Sequence, residues 1–325
     1  MSQVDGIRVL ITGGSGFVGH YVVDALKQAL PSNGEIVVAD RERSAVEIDG
    51  ARSIALDVTD VEAVNDLFRR ERPTHVLHLA AISAVTDASR DMKAAWAVNF
   101  GGTFNIAFAI SEFCKDCRIV HCSSAEVYGA TFNKGLPVDE AAMLDPTNAY
   151  GAAKAAADIM LGQMARLRLR AIRLRPFNHT GPRQSEKFVV PAFAAQIARI
   201  ERGEQEPIIY VGDTENKRDF LDVRDVVDAY VKALLNFDRL PQGCAINIAS
   251  GTARSIRSVL DLMLAQSSVR IEVRSDPARV RLNDTPLIVG NADLAKRLLD
   301  WEPRWAWEET LSNVLNYWRE TAKPS

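Results

Sequence analysis

No stretch of this 325-residue chain is apolar for long enough to cross a bilayer. The longest apolar runs, IRVLITG near the start and THVLHLAAISAV around residue 80, fall well short of a span. The N-terminus also lacks a basic region followed by an apolar one, so neither a membrane partner nor a secretory leader is expected, and the expected address is cytoplasmic. Positive charge is not in excess either. The 39 Lys and Arg stand against 42 Asp and Glu, for a net charge of −3, and no basic block or aromatic-and-arginine stripe breaks the balance. Such a surface has no general attraction for a phosphate backbone, so nucleic acid is not an expected partner. Cysteine is scarce, with four in all. Cys114 and Cys117 form a lone C-x-x-C, but no second ligand pair accompanies it and it does not follow a first strand as a redox dithiol would. The thiols are read as reduced and structural, with no metal site. Internal repeats, low-complexity tracts and Pro/Ser-rich linkers are missing too, which predicts lobes that share a tight cleft rather than a flexible tether.

What the chain does have is alternation. IRVLIT (7–12), EIVVAD (35–40), SIALDV (53–58), HVLHLA (75–80), RIVHCS (118–123) and RAIRLR (170–175) read as strands. Amphipathic stretches at about 16–30, 60–70, 92–113 and 147–168 separate them as the crossovers of βαβ units. The fold class expected is α/β: a doubly wound, parallel-sheet Rossmann domain with a smaller α/β lobe for the substrate. Past residue 176 the order loosens, with helices near 188–203, 223–236, 255–266 and 306–320 and one more strand, CAINIAS (244–250). The expected division assigns 1–176 plus about 220–250 to the dinucleotide domain, and about 177–219 plus 251–325 to the other lobe.

Directly after the first strand comes TGGSGFVG, Thr12 to Gly19, opening a helix. Gly13 permits a tight turn, Gly16 lets backbone approach a pyrophosphate, and Gly19 lets the helix pack on the strand. Ser15, Phe17 and Val18 complete the loop. Asp40 ends the second strand where a carboxylate accepts ribose hydroxyls, which favours NAD; Arg41 and Arg43 beside it suit a 2′-phosphate, so NADP stays open. Asp57 and Val58 are placed at the adenine. Leu79, Ala80 and Ala81, ending the fourth strand, leave room for the cofactor at the carboxyl edge of the sheet.

The fifth strand runs into HCSSAEVYG, and a helix begins around PTNAYGAAK. Tyr150 and Lys154, four apart, share a helix face, where the ammonium is expected to depress the phenol's pKa towards neutrality and also to reach the nicotinamide ribose. Ser124, at a strand end, is placed to hydrogen-bond the substrate oxygen that Tyr150 protonates. His20, His75, His78 and His121 show no ligand spacing and are read as structural.

TGGSGFVG, SSAEVYG and YGAAK together resemble the extended short-chain dehydrogenase/reductase family, and the resemblance spans about residues 7–320. It implies a dinucleotide redox enzyme acting on a nucleotide sugar. Dehydratases of the family carry an acidic residue two places after the Ser or Thr, and Glu126 holds that place; a reductase would use such a glutamate to orient the sugar or brace a loop. RPFNHTGPRQSEKFVVPAFAAQIARIERG (175–203) is similar to the branch that reduces GDP-4-dehydro-6-deoxy-D-mannose to GDP-D-rhamnose. That likeness implies Asn178 at the diphosphate or sugar, Phe188 to Val190 with Val189 against guanine, and His179 as a hydrogen-bonded brace. Arg218 and Arg279 are implied at the diphosphate, with Asp284 closing on the ribose or bracing an arginine. Arg183 departs from the branch, standing where it has a glycine, and leaves the 4,6-dehydratase alternative open. Relatives pair through helices like 92–113 and 147–168, which implies a homodimer. A non-catalytic dinucleotide sensor would be expected to lack the Tyr or Lys, and both are present.

Overall fold

The computed structural model describes residues 6–41, 49–277 and 285–321. Six strands come first: β1 (Arg8–Thr12), β2 (Glu35–Asp40), β3 (Arg52–Ala55), β4 (His75–His78), β5 (Arg118–Cys122) and β6 (Arg170–Pro176). Then follow β7 (Asn178–Thr180), β8 (Ile208–Val211) and β9 (Lys217–Asp222), before the chain returns to the first sheet with β10 (Ala245–Ile248). β11 (Ala253–Ser255), β12 (Glu272–Ser275) and β13 (Leu287–Ile288) are the last. The main sheet is parallel throughout, in the order β10-β6-β5-β4-β1-β2-β3. The order reverses direction between β1 and β4, so a crevice opens at their carboxyl ends.

Val9, Leu10, Ile11, Val37, Val76, Leu77, Ile119, Val120 and Ile172 are fully buried, the near-continuous apolar run of strands covered on both faces. Alternate residues face opposite layers. Ile11, Val38 and Leu77 pack with α1 (Phe17–Ala29) and residues of 223–235, whereas Leu10, Val37 and Val76 pack with α2 (Val61–Glu71) and residues of 103–113. Next in the chain are α3 (Val85–Arg90), α4 (Met92–Trp96), α5 (Thr103–Phe113) and α6 (Ala149–Arg166). A separate apolar cluster unites α7 (Val189–Glu201), β8, α9 (Ile256–Leu264) and α11 (Trp307–Thr321). Between them in sequence lie α8 (Val223–Leu235) and α10 (Asp293–Leu299), both beside the main sheet.

The structure adds β8, β9, β11, β12, β13, α3 and α10 to the sequence reading and moves several of its bounds. The stretch 92–113 is not one helix: a π-helical segment, Ala97–Gly102, separates α4 from α5. A Cβ on Gly102 would lie 2.5 Å from Val58 Cγ2, so the segment approaches Val58 more closely than any side chain allows. β3 stops at Ala55, because the Asp57 carboxylate accepts from Thr59 N at 2.8 Å and Thr59 Oγ1 at 2.7 Å and turns the chain. Asn178 to Thr180, read as loop, form β7, paired in parallel with β9.

Candidate active site

A single cavity of about 1320 Å³ runs along the carboxyl ends of β1, β2, β4 and β5 and continues between β7, α7 and β9. Its wall contains Gly13, Ser15 to Gly19, Asp40, Arg41, Asp57, Val58, Leu79 to Ala81, Ser124, Glu126, Tyr150, Lys154, Asn178, Val189 and Arg218, so these predicted residues share one space. Arg43, Arg279 and Asp284 lie outside the described residues.

The glycine loop fits a dinucleotide. Gly13 takes a φ of 72°, and a Cβ on it would sit 2.6 Å from Ala80 N. Gly19 is tighter, its Cβ falling 2.2 Å from Gly14 O. Gly16 is different: its Cβ would meet only Gly13 O, at 3.2 Å, so its missing side chain serves the cavity rather than the packing. Gly16 is also the N-cap of α1, where no side chain caps the helix and no acid occupies the first turn. The free N–H groups and positive end of the helix dipole therefore face a site suited to an anion. Asp40 sits beside this loop. One carboxylate oxygen accepts from Ser15 N at 3.1 Å and from the Ser15 hydroxyl, and the other from Arg41 N at 2.9 Å.

At the far end of β5, Ser124 caps a short 3-10 turn and its Oγ accepts from Glu126 N at 3.1 Å. Tyr150 lies on the first turn of α6 and its phenol hydrogen-bonds the Ser124 hydroxyl. One helical turn on, Lys154 is buried and its Nζ donates to the Cys122 carbonyl at 2.7 Å. The expectation that Lys154 depresses Tyr150 is corrected. Burial dominates both groups, pushing Tyr150 up to about 12 against the Ser124 hydrogen bond and lowering Lys154 to about 8, because each loses water that would solvate its charged form. Tyr150 is thus held as a phenol, the proton-donating form.

Glu126 points away from a solitary role. Its Oε2 accepts from Asn148 Nδ2 at 2.8 Å, while Asn148 Oδ1 caps α6 by accepting from Gly151 N at 2.8 Å. Sequence reasoning missed Asn148, although an Asn just before a helical stretch is a familiar N-cap signal. It also missed Asn99, buried in the π-helical segment, whose side chain accepts from Ile82 N at 2.8 Å and donates to Ile82 O at 3.1 Å beside the cavity. Cys122 and Tyr230 complete the wall under Tyr150.

On the other wall Asn178 is exposed to the cavity and His179 Nδ1 meets Phe177 O at 2.9 Å, the hydrogen-bonded position expected of a brace. Arg218 is buried, with Nη1 donating to Thr285 O at 2.8 Å and Lys217 O at 2.9 Å. Arg183 takes a φ of 73°, the left-handed backbone for which a glycine is the usual occupant. Among the described residues, no cluster of His, Cys, Asp and Glu could hold a metal ion, and all four cysteines are free. No described helix is long and apolar enough to cross a membrane.

A doubly wound sheet with an uncapped glycine-loop helix at its switch point, and a Ser, Tyr and Lys converging beyond it, defines a dinucleotide-dependent enzyme of the short-chain type. A family model described as GDP-mannose 4,6 dehydratase matches residues 10–314, and the chain belongs to that family, within the extended short-chain dehydrogenases/reductases. GDP-6-deoxy-D-mannose reductase of Pseudomonas aeruginosa is 31% identical over 97% of this chain and 98% of its own. The solved structure of RMD from Pseudomonas aeruginosa complexed with NADPH superposes with a TM-score of 0.84 at 29% identity, covering 97% of this chain and all of that one, 100%. UDP-glucose 4-epimerase of Thermus thermophilus, complexed with NAD, gives a TM-score of 0.85 at 27% identity, with 97% and 100% covered.

Proposed function

We propose that the protein is an NAD(P)H-dependent reductase of the C4 ketone of GDP-4-dehydro-6-deoxy-D-mannose, yielding GDP-D-rhamnose. The single observation that favours reduction over dehydration is that Glu126 Oε2 accepts from Nδ2 of Asn148, the residue that caps α6, which fits a glutamate that braces the loop and orients the sugar. Tyr150 supports the same reading. A ketone reduction needs a protonated acid at the start, and burial keeps the phenol protonated.

The glycine loop and α1 would hold the cofactor's pyrophosphate and Asp40 its adenosine ribose, and the reduced nicotinamide, when bound, supplies the hydride. Ser124 orients and polarises the ketone oxygen through its hydroxyl. Tyr150 gives its proton to that oxygen as C4 becomes tetrahedral and is reprotonated from solvent, while the Lys154 ammonium would hold the nicotinamide ribose. Asn178, Arg218, Val189 and the neighbouring Phe188 hold the nucleotide diphosphate sugar, with Arg279 and Asp284 assigned to the same work by resemblance. On this reading the cofactor half comprises 1–176 with about 220–250, joined by α10 beside the main sheet, and the sugar half is built from the rest of about 177–219 and 251–325. Trp96, Phe104, Phe108 and Ile159, large apolar side chains left exposed on α4, α5 and α6, support a homodimer.

Incubation of the purified protein with the 4-keto sugar and NADPH or NADH tests the reading. One reduced cofactor should be consumed per sugar. Steady conversion of GDP-mannose with no reduced cofactor present would assign the dehydratase activity instead.

A further inference from the structure

The cofactor wall and the substrate wall of the cavity touch where α1 meets β7. Phe17, in the first turn of α1 and part of the glycine loop, lies face to face with His179 of β7, ring centroids 6.3 Å apart and planes 10° from parallel. Phe17 in turn meets Tyr21 edge-on at 5.8 Å, and the Tyr21 hydroxyl donates to Pro182 O at 2.9 Å, so two successive turns of α1 grip the segment that follows Pro176. His179 is fixed on its other sides. Since Phe177 O only accepts, Nδ1 carries the proton and donates to it, and the His179 carbonyl accepts from Gln184 Nε2 at 3.0 Å. Gln184 closes the segment by accepting from Thr180 Oγ1 at 2.7 Å.

Asn178, between Phe177 and His179, faces the cavity, and β7 pairs with β9, where Asn178 lies opposite Phe220, two residues from Arg218. Any shift of the His179 ring is therefore shared by Asn178 and by the strand carrying Arg218. A dinucleotide seated at Gly16 would rest on the same turn of helix that presents Phe17.

We propose that His179 is a positioning residue that couples the two sites: cofactor seated on the glycine loop fixes Phe17, the Phe17–His179 stack fixes β7, and β7 places Asn178 and Arg218 for the nucleotide diphosphate. The inference rests on the function proposed above. Its consequence is that cofactor and nucleotide sugar strengthen each other's binding by the same factor, since coupling between two sites is reciprocal.

Titration calorimetry with GDP as the probe, with and without saturating NADPH, measures that factor without any turnover. The wild-type protein should bind GDP about tenfold more tightly when NADPH is present. His179→Ala should reduce the factor to within about twofold, whereas His179→Phe, which keeps a ring against Phe17, should retain most of it. Phe17→Leu removes the other ring while leaving the hydrogen bonds of β7 intact, and should lose coupling as His179→Ala does even if that variant does not fold. Equal GDP affinity with and without NADPH in the wild type would overturn the coupling alone. So would full coupling in Phe17→Leu, or its loss in a folded His179→Phe. No GDP binding in either state would overturn the function as well.

Discussion

Removal of the Asp158 carboxyl should lower the stability of the fold rather than act on the chemistry. Asp158 lies on α6, one turn beyond Lys154, and is completely buried. Its Oδ1 accepts from Arg173 Nη1 at 2.7 Å and Arg175 Nη2 at 2.8 Å, and its Oδ2 from Arg175 Nε at 3.0 Å. Arg175 extends the network to the Tyr128 hydroxyl at 2.9 Å, which donates to Asn247 Oδ1 at 2.7 Å on β10. In Asp158→Ala two arginines, one of them only 5% exposed at its side chain, lose the buried carboxylate that pairs with both. Breaking a buried pair in this way costs about 3–5 kcal/mol. At ~2.1 cal/mol/K per residue, a chain of this length has an unfolding entropy near ~0.7 kcal/mol/K, so Tm should fall by about 4–7 °C in scanning calorimetry. The pH dependence gives a second reading. Burial pushes the Asp158 pKa up, but the Arg175 hydrogen bond and the charges of Arg175 and Arg173 outweigh it and hold the carboxyl below its usual range. A folded pKa below the unfolded one, about 3.9, gives stability that is present above that pH and is lost as pH falls through the folded value. The Tm difference between wild type and variant should therefore be full near neutrality and shrink below about pH 4. A variant melting within about 1 °C of wild type at neutral pH would refute the reasoning, since no buried charge would then have been left unpaired.

Tyr150→Phe and Lys154→Met should each lower turnover by about 10²–10⁴-fold with little change in Tm, checked by steady-state rates beside a melting curve. Lys154 is lowered to about 8 by burial, so its positive charge is lost as pH rises through that value. The rate of reduction should accordingly fall on the alkaline side of about pH 8 in the wild type. Asp40→Ala should weaken NADH more than NADPH in fluorescence titration, because a carboxylate at that place would accept from a ribose 2′-hydroxyl and repel a 2′-phosphate. Light scattering at micromolar concentration should return the mass of a dimer, and a charged replacement of Phe104 or Phe108, both exposed on α5, should shift it to the monomer.

The parts of this fold legible in the sequence are those set by neighbours along the chain. β1, β2 and β5 each carry an unbroken apolar run between polar ends because both faces are covered, and that pattern needs no knowledge of what covers them. The glycine loop is legible in part for a similar reason, since Gly19 answers to the backbone of Gly14, whereas Gly13 answers to Ala80, at the end of the neighbouring strand. Tyr150 and Lys154 share a face by helical spacing alone. Their charge state does not follow from spacing. It depends on Cys122 O, which takes the Lys154 ammonium, and on the burial of the phenol, neither of which a local pattern contains. The same limit hid Asn148, whose cap is local but whose hold on Glu126 spans 22 residues, and the π-helical segment, which packs at Gly102 against Val58, 44 residues earlier.

Arg183 shows how a departure in sequence and its physical meaning come apart. Read against the branch it resembles, an arginine in place of a glycine looks like a different loop. The structure keeps Arg183 in the left-handed region, at a φ of 73°, which a non-glycine residue adopts at a cost of about 1–2 kcal/mol. The segment around it accounts for the retention: Tyr21 holds Pro182 O, and a Cβ on Gly181 would lie 2.5 Å from Val223 Cγ1, so the chain on either side has little freedom to relax. Arg183 thus sits on a turn whose backbone a glycine would favour. Asn178 and His179, in β7, line the cavity that the nucleotide sugar would meet, and Arg183 stands outside its described lining.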